Sequence, residues 1–359
     1  MKVERDLVKN PLKNVLLIQL GDIGDVVWTV PAVSAVKETV PGGKVSILAR
    51  GDFGELLKAD PRIHRVFKTV NSGTIFHKTA ANIRLIRQLR AERFDAVFDL
   101  RSGDRGAFMT FFTGAPLRGT LDHRDVPFWR NLLFTHVMRP PPLEARVRGA
   151  SEQTLCLLRE FGLRTRNIVP RLWVSDAALT RAKNIIKELN PGERWISINP
   201  FSRWKYKEWA PQKWAAVLNK VWEKYRIPVV IVGSADEIAN AEELAGFCTG
   251  RVRNAAGKTA LGELAGLLRL SSCHLGVDSA APHIAAAVGT PTLTIFGPSD
   301  WYDWAPPGGG NRIVVPGHDC VPCYQKGCEG RGWSRCLDEL EPEPVFEAVS
   351  VHLRELGII

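Results

Sequence analysis

The feature that most constrains the fold of this 359-residue chain is the alternation of short apolar runs with amphipathic segments. Runs such as VLLIQL (15–20) and PVVIVG (228–233) have the length and apolar character of strands buried on both faces. Segments with apolar residues at helical spacing, such as 81–93, lie between them. Repeated strand–helix units build doubly wound parallel sheets, so the sequence predicts an α/β fold.

The alternation forms two series, which indicates two Rossmann-like domains in a chain longer than one core usually serves. The first series has strands at 15–20, 44–50, 65–68 and 96–100, and the second has strands at 195–200, 228–233, 274–278 and 292–297. Helices are predicted near 26–39, 81–93, 150–162, 208–225, 236–246, 261–270 and 280–288. We place the domains at 1–170 and 171–340, followed by an amphipathic helix over 341–359.

The charge of the chain is unevenly distributed. Residues 1–175 contain 28 Lys and Arg against 17 Asp and Glu, so the whole net charge of +10 lies in the first half. Such an excess indicates an anionic partner, which could be nucleic acid, an acidic membrane surface or a phosphorylated substrate. A solvated basic surface without a partner is the alternative.

No apolar run approaches the roughly 20 residues needed to cross a bilayer. The first 14 residues, MKVERDLVKNPLKN, lack the apolar core of a signal peptide. We therefore expect a cytoplasmic protein. Three consecutive prolines predict an exposed loop over 139–148.

The turn after the first strand, GDIGD, carries two glycines and two carboxylates. Its pattern is not the G-x-G-x-x-G dinucleotide fingerprint. Gly21 and Gly24 permit a tight turn and the close approach of a substrate. Asp25 is a candidate general base, with helix capping as the competing interpretation, and Asp22 is the weaker candidate.

Charged side chains also follow two strands of the second series. Lys205 and Lys207 come after the strand at 195–200 and suit a phosphate, unless they are simply solvated. Glu237 follows the strand at 228–233, where a carboxylate can hold ribose hydroxyls or favour a helix N-terminus.

The segment after the strand at 274–278 is suited to an anion. Asp278 ends the strand, and the small residues Ser279, Ala280 and Ala281 begin a helix whose amide N–H groups face the strand end. His283 lies in the first turn of that helix, and a structural role is its alternative.

Seven cysteines divide into two groups. Cys156, Cys248 and Cys273 lie in apolar surroundings and are interpreted as buried thiols. The other four have the spacing C-x2-C-x4-C-x7-C and could form a structural zinc site, a disulfide or a packed group of free thiols. They are Cys320, Cys323, Cys328 and Cys336.

These motifs together resemble the ADP-heptose:lipopolysaccharide heptosyltransferases of glycosyltransferase family 9. The resemblance covers about residues 14 to 350 and is most specific over 254–300. It implies a GT-B architecture, with two facing Rossmann-like domains, an interdomain cleft, the acceptor on the first domain and the nucleotide sugar on the second. It also implies that the final helix crosses back to the first domain.

The resemblance assigns roles by motif position. Asp25 matches the base that deprotonates the acceptor hydroxyl in a single inverting displacement, and Lys207, with Lys205 as a second contact, matches the lysine at the diphosphate. The segment Asp278, Ser279, Ala280, Ala281 and His283 matches the surroundings of the donor's sugar and phosphates, although the family often has Gly where Ala280 stands. Glu237 and Thr259 fall near nucleoside-contacting positions. Gly21, Asp22, Gly24 and Arg101 belong to acceptor-side loops.

The resemblance further implies a metal-independent enzyme without a cofactor, in which Lys207 and helix amides stabilise the leaving group. The chain has no D-x-D motif of the metal-binding kind. An anionic acceptor, lipid A with its core oligosaccharide, at the inner face of the cytoplasmic membrane suits the basic first half. The alternatives are another donor sugar or acceptor, a GT-B scaffold without catalysis, and a nucleic-acid-binding protein, for which no motif is present.

Overall fold

The computed structural model describes residues 12–70, 74–122, 127–140 and 149–359. The chain divides into two compact units, Met1–Trp173 and Val174–Ile359. The predicted proline-rich loop at 139–148 lies mostly outside the described residues. No helix in the described ranges is long and apolar enough to cross a membrane.

The first unit contains a six-stranded parallel sheet. In chain order its strands are β1 (Asn14–Gln19), β2 (Lys44–Arg50), β3 (Ile63–Thr69), β4 (Ala96–Asp99), β5 (Leu117–Leu121) and β6 (His136–Met138). They lie side by side in the order β3-β2-β1-β4-β5-β6. All pairs are parallel, which is the arrangement of a Rossmann fold.

Helices cover both faces of this sheet. They are α1 (Ile23–Val27), α2 (Val30–Thr39), α3 (Ile75–Ala91), α4 (Asp104–Phe112), α5 (Phe128–Asn131) and α6 (Glu152–Glu160). The alternate residues Leu16 and Ile18 of β1 pack with side chains of α3 and α4, whereas Val15 and Leu17 pack with those of α1, α2 and α6. A strand buried on both faces explains the continuous apolar run in its sequence.

The second unit repeats the same topology. Its strands are β7 (Ile196–Asn199), β8 (Val229–Ile231), β9 (Val252–Asn254), β10 (His274–Val277), β11 (Thr292–Ile295) and β12 (Asn311–Val314). They lie in the order β12-β11-β10-β7-β8-β9, again all parallel. The predicted α/β class with two Rossmann-like domains is thus confirmed.

The helices of the second unit are α7 (Asp176–Leu189), α8 (Pro211–Tyr225), α9 (Ile238–Gly246), α10 (Leu261–Leu270), α11 (Ala280–Ala287), α12 (Trp301–Trp304), α13 (Arg335–Asp338) and α14 (Pro342–Glu355). Val345, Val349 and Leu353 of α14 are buried in the core that holds Trp214 of α8. The final helix is therefore part of the second unit, and its crossing to the first domain stays a prediction.

Some elements differ from the sequence-based expectation. The helix predicted from about residue 26 to 39 is two helices, because the chain turns at Trp28 and Thr29 and α2 restarts with Pro31 in its first turn. The strands β5, β6, β9 and β12 were not predicted. Three of these have at most four residues and partly exposed side chains, so they lack a continuous apolar run.

The sheet order determines where a ligand can bind. Connections leave β1 and β4 in opposite directions along the first sheet, and β7 and β10 do the same in the second. In open parallel sheets, ligands bind at the carboxyl ends of the strands at such a switch point. The residues that follow β1, β4, β7 and β10 are therefore the first to consider.

Candidate functional site

Asp25 lies in the first turn of α1, directly after the turn that leaves β1. The helix begins at Asp22, the N-cap residue, and the Asp22 N–H donates a hydrogen bond of 2.8 Å to Oδ2 of Asp25. This contact satisfies one of the amide groups that a helix N-terminus leaves without a partner. Asp25 thus caps from within the helix rather than as the N-cap, and only its Oδ2 atom takes part in the capping.

Gly21 is the residue that makes room for this carboxylate. A Cβ atom at position 21 would lie 2.2 Å from Oδ2 of Asp25, far inside van der Waals contact. Glycine is therefore required at position 21, because the side chain of Asp25 leaves no room for a Cβ atom there. Gly24 lies within α1, one residue before Asp25.

The second oxygen of Asp25 faces Arg101, from the loop after β4. A guanidinium nitrogen of Arg101 lies 3.5 Å from Oδ1 of Asp25. Burial raises the pKa of Asp25 above its ordinary value, and the charge of Arg101 and the Asp22 N–H partly oppose this rise. A desolvated carboxylate whose pKa is raised above the ordinary aspartate value suits general-base catalysis.

The loop that carries Arg101 is held by a buried carboxylate that sequence reasoning missed. Asp99, at the end of β4, accepts hydrogen bonds from the N–H groups of Arg101 (3.2 Å) and Ser102 (3.3 Å). The guanidinium of Arg130, from α5, lies 3.6 Å from the Asp99 carboxylate, and both side chains are fully buried. Burial raises the pKa of Asp99 to about 6. The sequence feature that could have identified Asp99 is an acidic residue at the end of an apolar strand.

Asp22 has a different environment. Its Oδ1 lies 2.8 Å from a guanidinium nitrogen of Arg50, at the end of β2, and both side chains are partly exposed. The ion pair links the carboxyl ends of neighbouring strands. Gly21, Asp22, Asp25 and Arg101 are therefore brought together at one edge of the first sheet, with Arg50 as a further cation there.

In the second unit, Lys207 contacts the end of β10, where the sequence predicts that the donor binds. Its ammonium group lies 2.6 Å from Oδ2 of Asp278, the residue after β10, and both side chains are largely buried. Lys205 instead pairs with both carboxylate oxygens of Glu208, at 3.0 and 2.9 Å, and is 66% exposed. The structure thus distinguishes the two lysines, since only Lys207 contacts the switch point.

The N-terminus of α11 is adjacent to this ion pair in sequence. Ser279 is the N-cap residue, but its hydroxyl donates to Oδ1 of Asn199 at the end of β7 (3.2 Å) rather than capping the helix. Ala280 and Ala281 form the first turn. Small side chains, amide N–H groups and the helix dipole make this end favourable for an anion such as a diphosphate.

His283 lies in the same first turn and is buried. Burial lowers its pKa to about 4, with Asp278 and Lys207 acting on it in opposite directions. The imidazole is therefore neutral at physiological pH, and it can donate or accept a hydrogen bond without adding a charge.

Glu237 and Thr259 follow the neighbouring strands β8 and β9. Oε2 of Glu237 accepts a hydrogen bond of 2.7 Å from the Ser234 N–H, and a Cβ atom at Gly233 would lie 2.8 Å from that oxygen. Asp25 has the same arrangement, in which the carboxylate accepts a backbone N–H and a glycine leaves room for it. The Gly257 N–H donates to the Gly233 carbonyl, so the loops that carry Glu237 and Thr259 are joined.

A segment late in the chain supports the loop of Lys207. The Ser334 hydroxyl donates a hydrogen bond of 2.6 Å to the carbonyl of Tyr206, within the short 3-10 helix Lys205–Lys207. The ammonium group of Lys326 lies 5.9 Å from the centre of the Trp204 ring. Neither contact could be read from the sequence, because the partners lie more than 120 residues apart.

The four clustered cysteines are free thiols in this structure. Among the described residues, which include all four, no group of three or more His, Cys, Asp or Glu side chains is placed to hold a metal ion. The zinc arrangement that the spacing allowed is therefore not found. Cys336 is buried in the core, which raises the pKa of its thiol to about 11, whereas Cys320 is exposed.

Comparison with known proteins gives a consistent result. A model of glycosyltransferase family 9 (heptosyltransferase) matches residues 82–334, more than half of the chain. Lipopolysaccharide heptosyltransferase 3 of Escherichia coli is 29% identical over 79% of this chain and 83% of its own length. Lipopolysaccharide heptosyltransferase 1 of Pseudomonas aeruginosa is 26% identical over 88% of this chain and 87% of its own length.

Solved structures show the same fold. The glycosyl transferase family 9 structure from Veillonella parvula has a TM-score of 0.82 at 18% identity and covers 96% of this chain and 97% of its own. ADP-heptose lipopolysaccharide heptosyltransferase II of E. coli has a TM-score of 0.77 at 21% identity, with 95% and 99% covered. The chain therefore belongs to glycosyltransferase family 9 and is a glycosyltransferase.

Proposed function

We propose that this enzyme transfers a heptose from ADP-heptose to an inner-core acceptor of lipopolysaccharide. The proposal is supported by the names of its curated relatives, which are lipopolysaccharide heptosyltransferases. The single observation that carries it in this chain is the Lys207–Asp278 contact beside the N-terminus of α11. A cation and helix amides at a switch point are what a nucleoside diphosphate leaving group requires.

On the donor side, Lys207 and the amides of Ser279, Ala280 and Ala281 hold the diphosphate. Lys205 gives at most an outer contact, because Glu208 already pairs with it. Asp278 and the neutral His283 orient the sugar and phosphates, and Glu237 and Thr259 lie near the nucleoside. The charge that develops on ADP as the bond to the sugar breaks is stabilised by Lys207 and the helix dipole.

On the acceptor side, Asp25 is the general base. It removes the proton from the attacking hydroxyl as the new bond from that oxygen to the anomeric carbon forms. The bond from the anomeric carbon to the diphosphate breaks in the same step, and ADP leaves with the electron pair. One displacement inverts the configuration, and it needs one base rather than the two carboxylates of a retaining hydrolase.

Arg101 has two effects on this step. Its guanidinium lies near Asp25 and opposes the rise in the pKa of that carboxyl group, and its 49% exposure leaves it able to contact an anionic acceptor. Gly21, Asp22 and Gly24 shape the acceptor-side turn, and Arg50 adds positive charge. We propose that the acceptor is anionic lipid A bearing core sugars, and that the enzyme acts at the inner face of the cytoplasmic membrane, peripherally bound.

The donor is tested with a panel of nucleotide sugars. Purified enzyme is mixed with a deacylated, Kdo-bearing core acceptor and ADP-heptose, ADP-glucose or UDP-N-acetylglucosamine, and nucleotide release and product mass are followed. We expect release from ADP-heptose only, with the anomeric configuration of the product opposite to that of the donor by NMR. Faster transfer from another nucleotide sugar would overturn the proposed donor. A product with the configuration of the donor would overturn the proposed inverting mechanism.

Metal independence is tested in the same assay. The proposal gives the leaving-group role to Lys207, so activity should persist after incubation with EDTA and removal of the chelator. Activity that is lost and then restored by added Mg²⁺ or Mn²⁺ would show that a cation shares this role.

A further inference from the structure

The first unit exposes several large apolar side chains on adjacent helices. Phe108, Phe111 and Phe112 lie on the outward side of α4 and are 44%, 43% and 40% exposed. Phe128, in α5, is 82% exposed, and Leu132, just after α5, is 74% exposed. A contiguous set of exposed aromatic side chains is uncommon on a protein surface that has no partner.

Side-chain contacts join the helices that carry these residues. The ring of Phe108 stacks on that of Trp129 with centroids 5.4 Å apart, which joins α4 to α5. The guanidinium of Arg105, in α4, donates to Oδ1 of Asn82, in α3, at 3.4 Å.

Helices α3 and α4 also pack on the same face of the sheet, because Leu85, Leu89 and Met109 belong to one core cluster. The outward side of α3 adds Phe76 and Ile83, which are 88% and 46% exposed. We call the surface they share the outer helical face, defined by Phe76, Ile83, Phe108, Phe111, Phe112, Phe128 and Leu132.

The outer helical face is bordered by positive charge. Helix α3 contains Lys78, Arg84, Arg87 and Arg90 and no acidic residue, and the three arginines are exposed. The guanidinium of Arg118 lies 5.7 Å from the centre of the Phe111 ring. A surface that enters the headgroup region of an anionic bilayer typically has exposed aromatic rings next to arginines.

We propose that the outer helical face docks on an anionic lipid bilayer, with its aromatic rings at the headgroup level and its arginines on lipid phosphates. The choice of a bilayer as the binding partner rests on the proposed function, because the proposed acceptor is a glycolipid in an anionic membrane. Charge complementarity favours the bilayer over a second copy of the chain. A two-fold interface through this face would bring the same arginines of both copies close together.

The test measures binding of the full chain to sedimenting vesicles. One set is pure phosphatidylcholine and the other contains phosphatidylglycerol as well, each at low and high salt. We expect binding to the anionic vesicles at low salt and much less binding in the other conditions. The double variant F108S/F112S should bind about tenfold more weakly, because two half-exposed rings no longer enter the interface.

Two further variants separate the contributions. The pair R84Q/R87Q should lose roughly fivefold per arginine and part of the salt dependence. The matched control F247S removes a phenylalanine of similar exposure that lies just after α9 in the second unit, and it should bind as the unchanged protein does. Equal thermal unfolding temperatures of all variants exclude misfolding as the cause of any loss.

The outcomes are distinct. Equal binding to both kinds of vesicle, or unchanged binding by F108S/F112S, would overturn the proposal. A dimer in sedimentation velocity that F108S/F112S abolishes, without vesicle binding, would assign the face to a second copy instead. Nucleotide release with the deacylated acceptor should be unchanged in F108S/F112S. If the unchanged protein binds anionic vesicles but releases no nucleotide, the membrane-binding role of the outer helical face is supported while the proposed function fails.

Discussion

The ammonium group of Lys207 lies 2.6 Å from the carboxylate of Asp278, across the gap between the loop after β7 and the end of β10. The residues are 71 positions apart, and both side chains are largely buried. The pair holds the cation at the switch point of the second sheet before any ligand binds. A diphosphate that binds there must share Lys207 with Asp278, so the affinity for ADP reports directly on this contact.

The first prediction compares two neighbouring lysines. Lys207→Met should weaken ADP binding by about 10- to 100-fold, since it removes a charge-assisted hydrogen bond and leaves Asp278 as an uncompensated anion. Lys205→Met should change it by no more than about threefold, because Lys205 is exposed and paired with Glu208. Titration calorimetry with ADP measures both. Equal losses, or a larger loss for Lys205→Met, would contradict the assignment.

The second prediction concerns the space beside Asp25. Gly21→Ala should reduce turnover by about 100-fold, because a Cβ atom there would displace the carboxylate, and misplacing a catalytic group by about 1 Å has this effect. ADP binding should be unaffected. The control Gly317→Ala has open space around its Cβ and should keep full turnover. Nucleotide-release kinetics decide, and normal turnover in Gly21→Ala would exclude Asp25 at this position as the base.

The third prediction is a shift in pH dependence. The proposed general base must be ionised to accept a proton, so kcat/KM should fall at acidic pH with a midpoint above the ordinary aspartate value of 3.8. Arg101→Gln removes the charge that lowers the pKa of Asp25, and the acidic limb should move to higher pH. Arg101→Lys keeps the charge and should restore the position of the limb in part. A limb that stays in place in Arg101→Gln would show that another group titrates.

The fourth prediction concerns the buried pair of Asp99 and Arg130. Arg130→Met should destabilise the protein by about 3–5 kcal/mol at neutral pH, because it leaves the Asp99 carboxylate buried without its partner. The loss should be smaller near pH 4. The folded-state pKa of Asp99 is about 6 and rises further without Arg130, so the carboxyl is neutral in acid and the penalty grows as pH increases.

Urea unfolding at several pH values measures this effect. The double variant D99N/R130M has no buried charge and should recover part of the lost stability. A loss that is the same at pH 4 and pH 7, or a double variant no more stable than Arg130→Met, would contradict the account of this pair.

The fold class follows from the sequence because buried parallel strands are continuous apolar runs. Helix α10 was predicted over 261–270 and occupies Leu261–Leu270, since its apolar spacing is regular. Helix α7 was missed, and it begins just after the domain boundary that we placed between residues 170 and 171. The edge strands β6, β9 and β12 were missed because a partly exposed strand of three or four residues resembles a loop.

The candidate site could be predicted in part. The rule that ligands bind at carboxyl ends of parallel strands made Asp25, the Lys205–Lys207 loop and Asp278 candidates from their positions. The choice of Lys207 over Lys205 came from the family resemblance. The pairings could not be predicted, because Arg101 and Asp25 or Lys207 and Asp278 meet only through the order of the strands. The separate roles of Lys205 and Lys207 depend on Glu208, and their spacing in sequence gives no indication of this.

The most direct test of the account is nucleotide release by Asp25→Asn in the presence of ADP-heptose and deacylated core acceptor. The substitution keeps the size of the side chain and an oxygen that can accept the Asp22 N–H, so the turn should be preserved. The account predicts that ADP release by the unchanged enzyme requires the acceptor, and that Asp25→Asn loses at least about 1,000-fold in turnover while binding ADP normally. Turnover within a few-fold of the unchanged enzyme would contradict the assignment of Asp25 as the base.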